Sequence, residues 1–166
     1  HAKFGADLLF KDGLISTFLN GMVKCTGYKP GTLEDRYSSD GVFLYDRLNK
    51  SDMEMLELAI RCHNMYRIPQ GLNSREQAFC NVLRDADKVD IFKVNIDTPL
   101  EEIYNTTTEE LMKSDITDEV LEAFDEEHCI LKAIRRTPAD TVIGHVSLAY
   151  ELVYDESVRI TVEQGY

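Results

Sequence analysis

The sequence contains no Cys-x-x-Cys pair and no apolar run long enough for a membrane span or for the core of a secretion signal. Cysteines are few, and they lie far apart in the chain: Cys25, Cys62, Cys80 and Cys129. Such spacing is typical of reduced cysteines in a protein core rather than of a disulfide framework. These absences argue against a disulfide-stapled secreted protein and against a membrane protein, and they predict a cytoplasmic location.

Basic residues are outnumbered, because 18 Lys and Arg stand against 30 Asp and Glu and give a net charge of −12. A field of this sign repels phosphate backbones and anionic surfaces, so we expect neither a nucleic acid polymer nor a membrane as a partner. A small phosphorylated molecule stays compatible with it, since a bound metal ion outweighs distant charges that salt screens. The 43% hydrophobic content predicts one globular domain over residues 1–166. No pattern indicates an oligomeric state.

The sequence also lacks sustained strand-like alternation, internal repeats, a Gly-rich phosphate loop and the G-x-S-x-G motif. Instead, apolar residues recur with the helical period along the chain. Capping residues predict four helix starts: Ser51 with Glu54, Asn73 with Glu76, Thr98 with Pro99, and Thr117. The helix that starts at Thr117 is predicted to run through Phe124 toward Ile134. A final long helix is predicted from about Ala139 past Ile160. The sequence therefore predicts an all-α fold.

Two side chains with ligand chemistry lie in apolar rows of these predicted helices. Leu56, Ile60 and His63 fall at i, i+4 and i+7, which puts the imidazole on the core-facing stripe. Asp87 stands in a row that recurs every four residues, formed by Phe79, Leu83, Asp87 and Ile91. A buried carboxylate needs a cation, and His with Asp is an ordinary ligand set for a divalent ion.

The alternative interpretation of both residues is structural. A histidine on an apolar stripe is often a hydrogen-bonded core residue, and Asp87 has Arg84 and Lys88 within helical reach as ion-pair partners. The same applies elsewhere, since His128 and His145 are explained by solvated faces or helix caps. Periodicity alone leaves the two interpretations of Asp87 open.

Three segments resemble the HD superfamily of metal-dependent phosphohydrolases, and they occur in that family's order. The segment RDADKVD at 84–90 resembles the family's DADK or ADR segment, and AIRCHN at 59–64 looks like the preceding helix, which ends in I-x-x-H. The segment HAKFGADLL at 1–9 is similar to the H-x-x-x-G-A-x-x-L segment that follows the His-Asp dyad, notably in HD-GYP phosphodiesterases. The resemblance is close over residues 1–95 and looser beyond.

The resemblance implies a helical bundle of the HD-domain type that hydrolyses a phosphate ester of a small molecule, such as a nucleotide. Asp87 matches the last ligand of the primary metal, and His63 and His1 match positions that bind a second metal or the substrate phosphate. The implied cofactor is a divalent ion: Mn, Fe, Mg, Zn or Ni. Asn64, Lys88 and Arg84 stand beside these ligands and are candidates for orienting the phosphate. Lys88 and Arg84 have a structural alternative as partners of Asp85 or Asp90.

The chain departs from the family in one respect, because no His in it is followed by Asp. If residues 1–9 follow the dyad, the missing ligands lie upstream of His1, although His1 could also be a tag remnant. We therefore expect a chain truncated at its N-terminus and, because the apolar pattern still runs at Ile160, at its C-terminus. The 166-residue chain alone should then hydrolyse phosphate esters poorly. The alternative functions are a regulatory or interaction module that kept the HD fold without the dyad, or a helical scaffold without a site.

Overall fold

A computed structural model describes residues 2–15 and 48–166, and all regular secondary structure in these residues is helical. The α-helices in this part of the chain are α1 (Ala2–Ala6), α2 (Lys50–Cys62), α3 (Ser74–Asp97), α4 (Leu100–Tyr104), α5 (Thr108–Met112), α6 (Asp118–Asp125), α7 (Pro138–Val146) and α8 (Asp155–Gln164). A π-helical turn (Asp7–Lys11) and two 3-10 turns (Lys132–Ile134 and Ser147–Glu151) accompany them. The all-α prediction is confirmed for the described residues.

The chain divides into two compact units. Unit 1 comprises His1–His63 and Pro69–Cys80, and unit 2 comprises Asn64–Ile68 and Asn81–Tyr166. The long helix α3 gives its first residues to unit 1 and the rest to unit 2. Within residues 2–15 and 48–166, no helix is both long enough and apolar enough to cross a membrane.

In unit 1, α1 packs against α2 through small side chains. Ala2 and Ala6 on α1 are buried, as are Met55 and Ala59 on α2. Because the distance between packed helices depends on the side chains at the contact, alanines let these two backbones approach closely. The apolar contact, rather than helix length, holds the five-residue α1 in place.

A polar contact accompanies this packing, where the π turn follows α1. The Arg61 guanidinium on α2 donates to Asp7 over 2.7 Å and to Glu57 over 2.6 Å. The hydrogen bond from Arg61, followed by that from Lys11, lowers the pKa of Asp7. Since the side chains are partly exposed, this contact orients the turn more than it stabilises the unit.

The start of α2 lies two residues earlier than predicted. Asn49 is the N-cap residue: its side chain accepts from the Asp52 amide over 3.0 Å, and the Asp52 carboxylate accepts from the Asn49 amide over 3.2 Å. The reciprocal cap expected of Ser51 and Glu54 is thus made by another pair with the same spacing, so that prediction was wrong in register.

The starts of the next two helices show how accurately capping residues predict where a helix begins. Asn73 and Glu76 form the predicted cap of α3, because Asn73 accepts from the Glu76 amide over 3.0 Å and Glu76 accepts from the Asn73 amide over 2.9 Å. The next helix begins one residue later than expected, with Pro99 rather than Thr98 at the N-cap. Local chemistry therefore locates these starts to within a residue or two.

In unit 2, α7 contacts α4, α5, α6 and the 3-10 turn Ser147–Glu151. Thr137 is its N-cap residue, and Pro138 stands at the first helical position. The apolar side chains buried almost completely in this unit are Phe92, Val120 and Ile130. Helix α7 is therefore the element on which the shorter helices of unit 2 pack.

Asp140, near the start of α7, is completely buried. Its carboxylate accepts from the backbone amides of Thr117 (2.9 Å), Arg136 (2.8 Å) and Thr137 (3.0 Å). Burial raises the pKa of Asp140, but these hydrogen bonds outweigh it and leave the pKa below its ordinary value. Thr117 is the N-cap residue of α6, as predicted, although its hydroxyl donates to Asp140 and not to its own helix. One carboxylate thus fixes the starts of α6 and α7.

The single long helix predicted from Ala139 past Ile160 is wrong. Helix α7 ends at Val146, a 3-10 turn follows over Ser147–Glu151, and α8 starts only at Asp155. The interruption is stabilised from outside, because the Val153 and Tyr154 amides donate to the buried Asp85 carboxylate on α3 and need no helical acceptor. Likewise α6 ends at Asp125, and only the 3-10 turn Lys132–Ile134 lies in the remainder of its predicted span.

Replacing Asp140 tests the role of this carboxylate. We expect Asp140→Ala to lower the free energy of unfolding by about 3 kcal/mol, because three buried amides lose their acceptor and a helix cap is removed. Asp140→Asn should cost less, about 1–2 kcal/mol. The exposed Asp125→Asn is the control and should change stability by less than about 0.5 kcal/mol. Urea unfolding measures all three.

The same variants also test how the contribution of Asp140 to stability depends on pH. Because the pKa of Asp140 is lowered on folding, its contribution is fully present above its unfolded pKa and is lost as pH falls through its folded pKa. The stability gap between wild type and Asp140→Asn should therefore be constant near neutral pH and shrink below about pH 4. If the difference in stability stayed unchanged below about pH 4, the lowered pKa of Asp140 would be contradicted.

Candidate functional site

His63 directly follows α2 and is half-buried, as predicted from its place on an apolar stripe. Its Nδ1 lies 2.7 Å from the carbonyl oxygen of Ile60. Since a carbonyl only accepts, this hydrogen bond requires a proton on Nδ1 and so favours the Nδ1–H tautomer. A ring nitrogen held in this tautomer by a backbone carbonyl is the usual arrangement of a metal-ligating histidine.

Asn64 and His1 are two further predicted site residues. Asn64 follows His63 and is exposed, which is compatible with its predicted contact with a substrate phosphate. His1, predicted as a further ligand, lies outside the described residues. The predicted pairing of His63 with Asp87 on a shared ion stays a prediction.

The buried face of α3 differs from the predicted one by a single position. The expected row includes Phe79, whose side chain is 40% exposed, while Asp87 is half-buried. The row that is buried begins at the next residue and consists of Cys80, Arg84, Lys88 and Phe92. A shift of one residue turns the helix by about 100°, so the apolar row was not the inward one. Asp87 therefore keeps access to solvent.

The carboxylate that α3 does bury is Asp85, which is 2% exposed. Its Oδ2 accepts from the Val153 and Tyr154 amides over 3.0 Å each. These donors belong to the extended segment between the 3-10 turn and α8, far away in the sequence. Asp85 thereby fixes the rotation of α3 about its own axis, which decides where its other side chains lie.

Arg84 and Lys88 are also inside unit 2. The Arg84 guanidinium donates to the Met65 carbonyl and, over 3.3 Å, to Glu151. Lys88 is 4% exposed, and its ammonium donates to the Arg84 carbonyl over 3.5 Å. Burial, and then the neighbouring Arg84, lowers the pKa of Lys88, against which Glu151 and Asp85 act. Direct contact between Lys88 and a substrate phosphate stays a prediction, and it requires a change in this buried arrangement.

The residue types that bind metal ions are dispersed over the part of the chain that the structure describes. In residues 2–15 and 48–166, no three His, Cys, Asp or Glu side chains are gathered so that they could hold a metal ion. The predicted set includes His1, which lies outside this part. The divalent-metal site accordingly stays a prediction.

A second polar cluster of unit 2 surrounds His145, which the sequence assigned to a solvated face or cap. His145 is half-buried, and its Nδ1 lies 3.1 Å from the Tyr104 hydroxyl, which donates to Asn95 over 3.0 Å. Burial, and then the charge of Arg135, lowers the pKa of His145. Burial also raises the pKa of Tyr104 to about 12. Both rings are therefore neutral at ordinary pH, and the assignment to a solvated face was wrong.

His128, assigned in the same way, also has defined partners. Its Nε2 lies 2.8 Å from the Glu126 carboxylate, and its Nδ1 lies 3.3 Å from the Tyr66 hydroxyl. The Glu126 partner is largely exposed, so this contact belongs to the surface of unit 2. Neither histidine was expected to contact a tyrosine, because both tyrosines are distant in the sequence.

The role of Arg135 was not predicted from the sequence, because a single arginine in a loop belongs to no recognisable pattern. The only hint was a glycine in the interior of α7, where glycine is unfavourable. That glycine, Gly144, lies against the Arg135 guanidinium. The pair becomes visible only once the chain is folded.

Comparison with protein-family models, curated proteins and solved structures found no match to this chain.

Substitutions in α3 separate its structural carboxylate from its accessible one. We expect Asp85→Ala to lower the free energy of unfolding by about 2–3 kcal/mol, because two buried amides lose their acceptor. Asp87→Ala should cost less, since the side chain is only half-buried. Thermal and urea unfolding of both variants measure the difference. A larger loss for Asp87→Ala than for Asp85→Ala would mean that Asp87 is the structural group.

Proposed function

We propose that this chain belongs to an HD-type helical bundle that hydrolyses a phosphate ester of a small molecule at a divalent metal. The proposal rests on the three ordered sequence segments, and one structural observation carries it further. The 2.7 Å contact between His63 Nδ1 and the Ile60 carbonyl favours the tautomer in which Nε2 can bind a metal. The half-buried state of Asp87 supports it as well, because a ligand must remain reachable.

The residues that would hold the metal are Asp87, His63 and His1, as the resemblance implies. The side-chain types fit Mn, Fe, Mg, Zn or Ni, since imidazole and carboxylate together suit these ions. Such a metal, when bound, supplies a Lewis acid that lowers the pKa of its water and offsets phosphate charge. A cytoplasmic location goes with this proposal, because Cys62 and Cys80 are buried like ordinary core residues.

The surrounding residues would position the ligands and the substrate. Asp85 and Asp87 lie two positions apart on α3, or about 200° around the helix, so anchoring one leaves the other on a different face. Asn64 is exposed beside His63 and can donate its side-chain amide to a phosphate oxygen. Lys88, with its ammonium inside the unit, would act on the substrate mainly through its positive field.

The test measures metal content and hydrolysis in the polypeptide encoded by the whole gene. With Mn²⁺ and p-nitrophenyl phosphate esters, we expect Asp87→Asn to reduce hydrolysis more than about hundredfold and to lower the bound metal, because a primary ligand is lost. His63→Gln should reduce hydrolysis by about tenfold or more. The exposed Asp90→Asn on the same helix is the control and should leave both unchanged.

Melting temperatures complete this experiment. Unchanged metal content with a lowered melting temperature for Asp87→Asn would favour the structural interpretation of Asp87. A well-folded wild-type polypeptide without metal-dependent hydrolysis would favour the regulatory or interaction module instead.

A further inference from the structure

A cavity of about 490 Å³ opens on unit 2 where the end of α4 meets the start of α7. Its lining includes Tyr104, Asn105, Arg135, Arg136 and Thr141. None of the residues predicted to bind metal or to orient phosphate lines it. The volume lies in the range of small-molecule sites, so the cavity has room for more than a single ion.

Arg135 is the unusual member of this lining. Its Nη2 donates to the backbone carbonyls of Ile130 and Gly144, while its Nε is buried without a hydrogen bond. In the part of the chain that the structure describes, it forms no ion pair with a carboxylate. A guanidinium stays protonated in proteins, so a half-buried positive charge remains there.

The titratable groups that act on this charge do not neutralise it. Those that favour the charged form of Arg135 are Cys129 and Tyr104. Burial raises the pKa of the Cys129 thiol and that of the Tyr104 hydroxyl, the latter to about 12. Both groups are therefore neutral near pH 7. A partly desolvated cation without a counter-charge is unfavourable, and an anion entering the cavity would relieve that cost.

The position of the guanidinium is set by a glycine. A Cβ atom added to Gly144 would lie 2.1 Å from Arg135 Nε and 2.2 Å from Cζ. The guanidinium thus lies directly on the backbone of α7, at a place that only glycine leaves open. This close approach fixes the charge at the cavity instead of leaving it on a mobile side chain.

The remaining charged groups of the lining are one cation and one anion. Arg136 is exposed and pairs with the exposed Glu119 over 2.8 Å, a contact that a bound anion can replace. The Glu110 carboxylate already accepts from the Thr107 amide over 2.9 Å and from the hydroxyls of Thr106 and Thr107. Two guanidinium groups therefore face one carboxylate that is engaged in capping α5.

We propose that this cavity binds the phosphate group of a small molecule, with Arg135 as the fixed contact and Arg136 as the adjustable one. Guanidinium groups form charge-assisted hydrogen bonds to phosphate oxygens. Because Arg135 Nε is buried and its Nη2 already donates to two carbonyls, Nη1 is the nitrogen that would make this contact. The site needs no metal and involves no hydrolysis. Its existence is therefore independent of the function proposed above.

The decisive variant is Gly144→Ala, which displaces the Arg135 guanidinium without changing any charge. Pyrophosphate is titrated into the whole chain by calorimetry, in metal-depleted buffer at constant ionic strength. We expect saturable binding by the wild type and affinity about tenfold weaker for Gly144→Ala, the effect of losing one charge-assisted contact. Gly5→Ala is the matched control, because a Cβ there meets no atom within 4 Å. Its affinity should equal that of the wild type.

A second pair of variants tests the charge itself. Arg136→Gln should weaken pyrophosphate binding severalfold, whereas Arg159→Gln on α8 removes the same charge from an exposed site and should leave it unchanged. Circular dichroism checks that each variant is folded. The proposal is overturned if the wild type shows no saturable binding at millimolar pyrophosphate, if Gly144→Ala binds as tightly as the wild type, or if the two arginine variants lose affinity equally.

Discussion

The burial of carboxylates against backbone amides is the interaction on which unit 2 depends. Asp85 satisfies two amides of the segment before α8, and Asp140 satisfies three amides at the starts of α6 and α7. In each case a side chain does what a helical carbonyl would otherwise do. The chain can therefore leave the helical conformation in these places without stranding polar groups. Short helices become stable because the amides at these ends have acceptors.

The overall surplus of acidic residues says little about the interior of this unit. Arg84 and Lys88 are buried on α3, and Arg135 is half-buried beside α7, while many of the acidic side chains are on the surface. Exposed charges lose influence beyond roughly 10 Å in salt, whereas charges inside the protein are screened much less. A chain with a net charge of −12 can thus present a locally positive environment to an anion.

The sequence predicted those parts of the fold that neighbouring residues decide. The all-α class and the Asn73 cap of α3 followed from periodicity and capping chemistry, which act within a few positions. The burial of α3 did not, because Arg84 and Asp85 are satisfied by Glu151, Val153 and other groups that only the fold brings near. Periodicity counts apolar residues, and it selected the adjacent row because that row contains one charged residue where the buried row contains two. The prediction of one long final helix was wrong for the same reason, because the Val153 and Tyr154 amides are satisfied by Asp85, which is distant in the sequence.

Among the candidate residues too, what depends on neighbouring positions could be predicted, and what depends on the folded environment could not. The half-buried state of His63 could be predicted from its spacing, and the hydrogen bond to Ile60 follows from its place at the end of α2. Arg135 could not, since its importance arises from one glycine nine positions away and from the absence of a carboxylate among its described neighbours. Uncompensated charge is a property of a folded environment and has no pattern in the sequence.

The π turn at Asp7–Lys11 makes unit 1 unusually dependent on the number of residues near its start. A π turn accommodates one residue more than an α-helical path would, so it sets the angular phase of everything that precedes it. Removing a single residue there would convert it toward a regular helix and change by about 100° the rotation of α1 relative to the residues that follow the turn. If the residues after the turn kept their place, Ala2 and Ala6 would turn away from the surface against which they are buried. Homologous chains that pack α1 in this way should consequently tolerate substitutions in the turn far better than changes in its length.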